Sequence, residues 1–258
     1  MALFKHDVPI LEYDDCAKAV FSPNHEGLDL VLPKKAVFAF LGGSIGKYAR
    51  EHELTPVAEF VSITKKYPIY AVNYKGEDIC LCQAPVGAPA AVQIMDWLIA
   101  YGVEAVISSG SCGALIDLPE NAFLIPTRAL RDEGTSYHYL PPSRWVELDR
   151  DVRRSMEKTL DGLNLPYAEC ATWTTDGFFR ETRDLVEYRK EEGCSVVDME
   201  CAALAACAQF RGVKFGQLLY TADSLANADK YDERGWGFDS LEKALFLSLE
   251  LARGLDGF

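Results

Sequence analysis

Continuous apolar runs alternate with amphipathic helical segments along most of the chain, and this alternation limits its fold more than any other feature. The runs AVFAFL, VEAVISSGSCGAL and KFGQLLYTADS, at residues 36–41, 103–115 and 214–224, predict strands that are covered on both faces. The segments at 148–163 and 240–255 have the apolar spacing of helices. Strands that alternate with helices predict one α/β domain, residues 1–258, with a central mixed, mostly parallel β-sheet flanked by helices.

Two strand patterns near residue 75 predict that the sheet is mixed. IYAVNY (69–74) and DICLCQA (78–84) are joined by a short KGED segment, which is typical of a hairpin turn. Residues 1–35 are polar and interrupted by proline, so we expect an N-terminal segment that approaches the domain.

The composition limits the class of partner. The chain has 258 residues, with 39 acids against 26 bases and a formal net charge of −13, which disfavours nucleic acid and anionic membranes as partners. It contains no leader-like segment and no apolar stretch of membrane-spanning length, so we expect a cytoplasmic protein. The eight cysteines are scattered without a C-x-x-C pair, which predicts reduced, mostly buried thiols and no metal site.

Four strand patterns end in residues that are unusual beside an apolar run. These ends are LGGSIGK (41–47), SSGSCGA (108–114), VVDME (196–200) and LYTADS (219–224). In open α/β sheets, ligands bind beyond the carboxyl ends of the strands. Because the four segments share that position, we expect them to form one site.

Two of these strand ends are rich in glycine and serine. The backbone amides of Gly42, Gly43 and Gly110 and the hydroxyls of Ser108 and Ser111 are groups that can cradle an anion. Neither segment has the spacing of a dinucleotide fingerprint or of a Walker A loop. Taken alone, each is also consistent with a tight turn, which is the simpler interpretation.

The third strand end carries two acids. Asp198 and Glu200 are two residues apart, so on an extended segment both side chains point to one face. Facing a cleft, they would accept hydrogen bonds from the vicinal hydroxyls of a sugar. The alternative is that both acids open the following helix, whose amino end favours negative charge. The local sequence favours neither of these two interpretations over the other.

Three further residues each have a functional and a structural interpretation. Asp223, at the end of LLYTAD, either caps the next turn or acts as a general acid whose pKa is raised by burial. His138, in the polar loop RDEGTSYHY (131–139), is either a ligand contact or a structural histidine. Trp173 either stacks on a flat ring or lies in the core.

Taken together, the motifs resemble those of the nucleoside phosphorylase family, in the branch of the hexameric purine and uridine phosphorylases and their nucleosidase relatives. The resemblance runs from about Ala36 to the end of the chain. It is carried by APVGAPAAV (84–92), SSGSCGAL (108–115), VVDMECAAL (196–204) and YTADS (220–224), in an order and spacing typical of that family.

The resemblance implies an enzyme that cleaves the N-glycosidic bond of a nucleoside, and it implies a role for each matching residue. Glu200 would bind the ribose hydroxyls, Met199 would pack under the sugar and Asp198 would support the site. Asp223 would protonate, or hydrogen-bond to, N7 of a purine base. Trp173 would lie against the base.

The resemblance also implies phosphate as a co-substrate and no cofactor. Ser111 and the amides of Gly110 and Gly42 would line the phosphate pocket. The family's phosphorylases carry an arginine at the position of Ser108 and another in the first glycine loop, where this chain has only Lys47 nearby. Bidentate arginines are the usual way to hold phosphate, so the absence of both counts against phosphate as the nucleophile.

The expected function is therefore phosphorolysis of a purine nucleoside to free base and ribose 1-phosphate. For this reaction, basic groups such as Arg180, or a neighbouring subunit, would have to hold phosphate. Otherwise water is the nucleophile and the protein is a nucleoside hydrolase. A uridine phosphorylase-type activity and a non-catalytic nucleoside-binding protein also stay open. The resemblance further implies a homo-oligomer, as a dimer, trimer or hexamer, in purine salvage.

Overall fold

The computed structural model describes residues 3–255. This part of the chain forms ten strands and six α-helices. In chain order they are β1 (Lys35–Ala39), α1 (Ser44–Glu51), β2 (Ala58–Val61), β3 (Lys66–Tyr74), β4 (Glu77–Gln83), α2 (Ala88–Ala100), β5 (Ala105–Ala114), β6 (Phe123–Asp132), β7 (Trp145–Glu147), α3 (Arg150–Gly162), β8 (Tyr167–Thr175), α4 (Arg183–Glu191), β9 (Val196–Asp198), α5 (Cys201–Arg211), β10 (Lys214–Ser224) and α6 (Leu241–Gly254).

Five strands close into a ring, and the others extend the sheet from it. β10 pairs with β6, β6 with β8, β8 with β9, β9 with β5, and β5 again with β10. Outward from β5 the order is β1, β4, β3 and β2, while β7 pairs with β6. The two longest pairings, β10 with β5 and β6 with β8, are parallel, whereas β3 and β4 form the predicted antiparallel hairpin. The single α/β domain with a mixed sheet is thus confirmed.

The continuous apolar run of β1 is explained by burial on both faces. Ala36 and Phe38 contribute to a core cluster with the buried residues of α2 and α5. Val37 and Ala39 point to the opposite face, into a cluster with α1, α3 and α6. Because successive side chains of a strand alternate between faces, residues 36–39, which helices cover on both sides, are all apolar. The buried Lys35 at the start of β1 forms an ion pair with Glu77.

The lengths of the central strands position the site. β1 ends at Ala39, whose partner on β5 is Ser109, so β5 extends five residues further, to Ala114. The parallel neighbour β10 extends beside it to Ser224. β9 ends at Asp198, and α5 begins three residues later at Cys201. The carboxyl ends of β5, β9 and β10 therefore meet at one edge of the sheet.

Some elements were not predicted from the sequence. The glycine segment after β1 opens directly into α1, and the short strands β2 and β7 lack a clear alternating pattern. The hairpin turn consists of two residues, Lys75 and Gly76, between the end of β3 and the start of β4. Both have positive φ, 50° and 88°, as in a type I′ turn.

The N-terminal segment is held against α2 and α5. Trp97 Nε1 donates to Glu26 Oε2 at 3.1 Å, and Arg211 Nη1 donates to the carbonyl of Ala17 at 3.3 Å. Within residues 3–255, every helix falls short of the length and apolar character that a membrane span requires.

Candidate active site

A cavity of about 160 Å³ lies at the edge where β5, β9 and β10 end. It contains residues from three of the four predicted strand ends, together with Phe40, which directly follows β1. The lining residues are Phe40, Val86, Gly110, Ser111, Cys112, Gly113, Phe178, Glu181, Val197, Asp198, Met199, Glu200, Gln217, Ala222, Asp223 and Trp236.

The Asp198 carboxylate is held by four donors from the protein. Its Oδ1 accepts hydrogen bonds from the hydroxyls of Thr172 and Thr174, both at 2.8 Å. Its Oδ2 accepts the backbone N–H groups of Glu200 and Cys201 at 2.8 and 2.6 Å. Asp198 is 5% exposed, so burial without these partners would be unfavourable. The contacts of Asp198 agree with the interpretation that this acid opens the following helix.

The Glu200 carboxyl faces the cavity and has a different environment. Its Oε1 accepts the backbone N–H of Gly87 at 2.6 Å. Gly87 has a φ of 101°, a conformation that favours glycine, and it directs its amide toward the carboxyl group. Burial, with the nearby Asp198 as the second cause, raises the pKa of Glu200 to about 8. Both acids of VVDME line the cavity, but they differ, because four protein donors hold the Asp198 oxygens whereas Glu200 Oε1 accepts from the Gly87 amide.

Asp223 and Glu181 add a second pair of carboxyls to the cavity wall. Asp223 is 6% exposed, and burial raises its pKa, although a hydrogen bond from Tyr231 acts in the opposite direction. Burial and the negative charge of Asp223 together raise the pKa of Glu181 to about 7. A Cβ at Gly113 would lie 2.9 Å from a Val197 methyl and 3.3 Å from Asp223 Oδ1, so only glycine lets β5 approach this closely.

Gln217 and Ser108 form a buried polar pair beside the cavity. They are direct partners in the parallel pairing of β10 with β5. Gln217 is 1% exposed and Ser108 is 0% exposed. Among the described residues, neither Gln217 Oε1 nor Ser108 Oγ has a hydrogen-bond partner. Gln217 was not predicted as a site residue, although a glutamine inside the run KFGQLLYTAD is a detectable signal.

Trp173 does not line the cavity, and its contacts agree with the interpretation that it lies in the core. It is 1% exposed, and its Nε1 donates to Asp132 Oδ2 at 2.9 Å. It packs in a core cluster with Leu115 and Val186. A strand on which successive residues are all buried gives no local sign of which face meets the ligand. Within the same TWTTDGFFR segment, the aromatic residue that lines the cavity is Phe178.

Arg180 and His138 also lie away from the cavity lining. Arg180 ends the short turn Phe178–Arg180 and is exposed. His138 is exposed and lines a separate groove of about 880 Å³ between the N-terminal segment and α2. Its loop is organised by Arg131, which donates to backbone and hydroxyl oxygens of residues 136–143.

The predicted phosphate groups divide into two sets. Gly110 and Ser111 line the cavity. Gly42 and Gly43 are exposed before α1 and do not line it. Lys47 forms an ion pair with Glu242 of α6 and does not line the cavity. Within residues 3–255, the cavity lining includes four acids and no lysine or arginine.

This arrangement suits a ligand with hydroxyl groups and a basic ring nitrogen. The Glu200 carboxyl accepts hydrogen bonds from hydroxyls, and a carboxyl such as Asp223, with a raised pKa, can donate a proton. Phe178 and Trp236 supply aromatic surface for a planar ring.

Comparison with curated proteins identifies relatives at low identity. Guanosine phosphorylase of Halorubrum lacusprofundi is 25% identical over 224 residues, which cover 84% of this chain and 93% of the relative. Uridine phosphorylase of Thermococcus kodakarensis is 24% identical over 197 residues, covering 70% of each chain.

Solved structures with different activities share the fold. Purine nucleoside phosphorylase from Toxoplasma gondii superposes with a TM-score of 0.72 at 18% identity, covering 93% of this chain and 97% of that one. AMP nucleosidase from Bacteroides thetaiotaomicron gives 0.70 at 23% identity, covering 86% and 88%. Residues 34–246, which include all ten described strands, match the phosphorylase superfamily. The chain therefore belongs to the phosphorylase superfamily, in agreement with the resemblance found in its sequence.

Proposed function

We propose that this protein cleaves the N-glycosidic bond of a purine nucleoside. The observation that carries the proposal is that Glu200 and Asp223, from two different strand ends, face one small cavity as buried carboxyls. A site for this reaction needs an acceptor for ribose hydroxyls and an acid for the departing base, and these two residues supply both.

The Glu200 carboxyl would fix the ribose. Its contact with the Gly87 amide holds one oxygen in place, so the group is oriented before substrate binds. Met199 lines the same cavity and would pack under the sugar. Asp198 would act indirectly, because its bonds to the amides of Glu200 and Cys201 fix the turn that carries Glu200.

Asp223 would assist departure of the base. Its protonated carboxyl would donate to N7 of the purine while the bond between C1′ and N9 breaks and the electron pair of that bond moves to the base. Positive charge then develops on the ribose, and the carboxyls around the cavity stabilise it. Phe178 would contact the flat face of the base. A proton donor aimed at N7 favours purine over uridine, which has no corresponding nitrogen.

Two nucleophiles are compatible with this bond cleavage. Phosphate, the expectation from the sequence, is supported by the phosphorylase names of the curated relatives and by Gly110 and Ser111 at the cavity. Water is favoured by the lining itself, since among the described residues it includes no lysine or arginine to hold a phosphate dianion. We further propose a cytoplasmic homo-oligomer that acts in purine salvage, which light scattering and cell fractionation would test.

Incubation of the full chain with guanosine, inosine, adenosine and uridine, each with and without phosphate, tests the function. Chromatography of the free base and the sugar product should show base release from purine nucleosides. Ribose 1-phosphate as the product would indicate phosphorolysis, and free ribose would indicate hydrolysis. Binding of nucleosides without base release under any condition would contradict the proposal and indicate a non-catalytic binding protein.

A further inference from the structure

The buried polar pair formed by Gln217 and Ser108 has no role in the proposed chemistry of Glu200 and Asp223. A buried polar atom without a partner destabilises the folded protein, and natural proteins rarely retain one unless water or a ligand completes it. Gln217 also lines the cavity, whereas Ser108 lies beside it on the neighbouring strand. The pair is therefore placed to bind something that enters the cavity.

The chemistry of the two groups defines what they would bind. Gln217 Oε1 is an acceptor, so its partner must donate a hydrogen bond, and the Ser108 hydroxyl both donates and accepts. Registered side chains of parallel neighbouring strands lie on one face, and such strands are about 4.8 Å apart, so a single water between the two side chains can bond to both. Buried waters typically make two to four such bonds. A phosphate dianion, which is mainly an acceptor, satisfies Gln217 Oε1 less well.

We propose that Gln217 and Ser108 position the water molecule that attacks the anomeric carbon of the nucleoside. The inference rests on the proposed cleavage of the N-glycosidic bond and names its nucleophile. With its two hydrogens donated to Gln217 Oε1 and Ser108 Oγ, the water keeps a lone pair for C1′. An uncharged nucleophile also suits a wall that carries Glu181, Glu200 and Asp223.

The step balances without another reactant. The water oxygen forms a bond to C1′ as the bond between C1′ and N9 breaks. The purine leaves with the proton that Asp223 gives to N7. The proton lost by the attacking water neutralises the Asp223 carboxylate, so the products are ribose and free base, and the protein regains its starting protonation state.

The test compares the full-length wild type with Gln217→Leu, Ser108→Ala and a matched control, Gln83→Leu. Gln83 also has a buried Oε1 without a partner among the described residues, but it lies on β4 and does not line the cavity. The measurements are kcat for base release without phosphate, nucleoside Kd by calorimetry, and the ratio of methyl riboside to ribose when methanol is added. Circular dichroism checks the fold.

Gln217→Leu should lower kcat by about 100-fold with Kd changed by less than about threefold, since misplacing a reactant by about 1 Å has effects of this size. Its products should shift toward methyl riboside, because methanol no longer competes with a held water. Ser108→Ala should likewise lower kcat and shift the products toward methyl riboside. Gln83→Leu should change neither kcat nor the product ratio.

Several outcomes would overturn the inference. An unchanged kcat in folded Gln217→Leu and Ser108→Ala variants would do so, as would a wild-type enzyme that requires phosphate and forms ribose 1-phosphate. In both cases the proposed bond cleavage itself would stand. A wild type that releases no base from any nucleoside would instead reject the proposed function.

Discussion

The Asp198 carboxylate accepts a hydrogen bond from the backbone N–H of Glu200, at 2.8 Å. Two acids that are two residues apart at one strand end therefore have different environments. Asp198 uses both oxygens on the protein, and it fixes the turn from which Glu200 reaches the cavity. The distinction leads to different expectations for the two residues.

Replacing Asp198 should mainly reduce stability. Asp198→Ala would leave the hydroxyls of Thr172 and Thr174 and two backbone N–H groups without their acceptor in a buried place. Each buried unsatisfied group costs about 1–3 kcal/mol, so we expect a loss of roughly 3 kcal/mol or more in the free energy of unfolding. Urea unfolding measures it, with the exposed Asp239→Asn as control. A loss below about 1 kcal/mol would show that these bonds matter little.

Replacing Glu200 should mainly reduce activity. Glu200→Gln preserves the size of the side chain but places N–H groups where, under the proposed function, the carboxyl would present acceptors to the ribose. A ribose hydroxyl left without its acceptor in the cavity costs about 1–3 kcal/mol, so kcat/KM for base release should fall by about 10- to 100-fold. Steady-state kinetics measures this, and circular dichroism checks that the variant is folded. Wild-type kinetics in the variant would remove Glu200 from the sugar site.

Asp223→Asn should remove the proposed general acid while preserving the shape of the cavity. We expect turnover of purine nucleosides to fall by about 100-fold or more, the usual contribution of a positioned acid. The measurement is initial-rate base release at saturating nucleoside, and Asp239→Asn serves again as the matched control. Turnover equal to wild type would exclude Asp223 from the chemistry.

Stability should fall as the pH rises through neutrality. The pKa values of Glu200 and Glu181, about 8 and about 7, lie above their ordinary value of 4.5, so the folded state binds these protons more tightly than the unfolded state. Their contribution is complete below about pH 4.5 and is lost as the pH passes 7 and then 8. Thermal unfolding between about pH 5.5 and 8.5 should show this decline, and Glu200→Gln should flatten it. An equal slope in that variant would argue against the raised pKa.

Cysteine labelling should distinguish one thiol from the rest. All eight cysteines are free, and only Cys16 is exposed, while burial raises the pKa of others such as Cys80 and Cys112. A chromogenic thiol reagent should therefore modify about one thiol per native chain and all eight after denaturation. Cys16→Ser should remove the native reaction. Rapid native labelling of several thiols would contradict the buried arrangement.

Local sequence patterns were sufficient to predict the alternation of strands and helices and the four unusual strand ends. They were sufficient because a strand segment buried on both faces, such as residues 36–39 of β1, consists mainly of apolar residues. The positions of Glu200 and Asp223 at strand ends, and their expected proximity, followed from the general geometry of such sheets.

Which side chains meet was settled by the tertiary structure alone. Asp198 and Glu200 have the same local pattern, and contacts with Thr172, Thr174 and Gly87 separate them. Trp173 and Phe178 belong to one short segment, yet one is in the core and the other at the cavity. Likewise, Gln217 meets Ser108 through the register of two strands that are far apart in the chain. Such contacts depend on the packing of distant segments and on burial, neither of which local periodicity encodes.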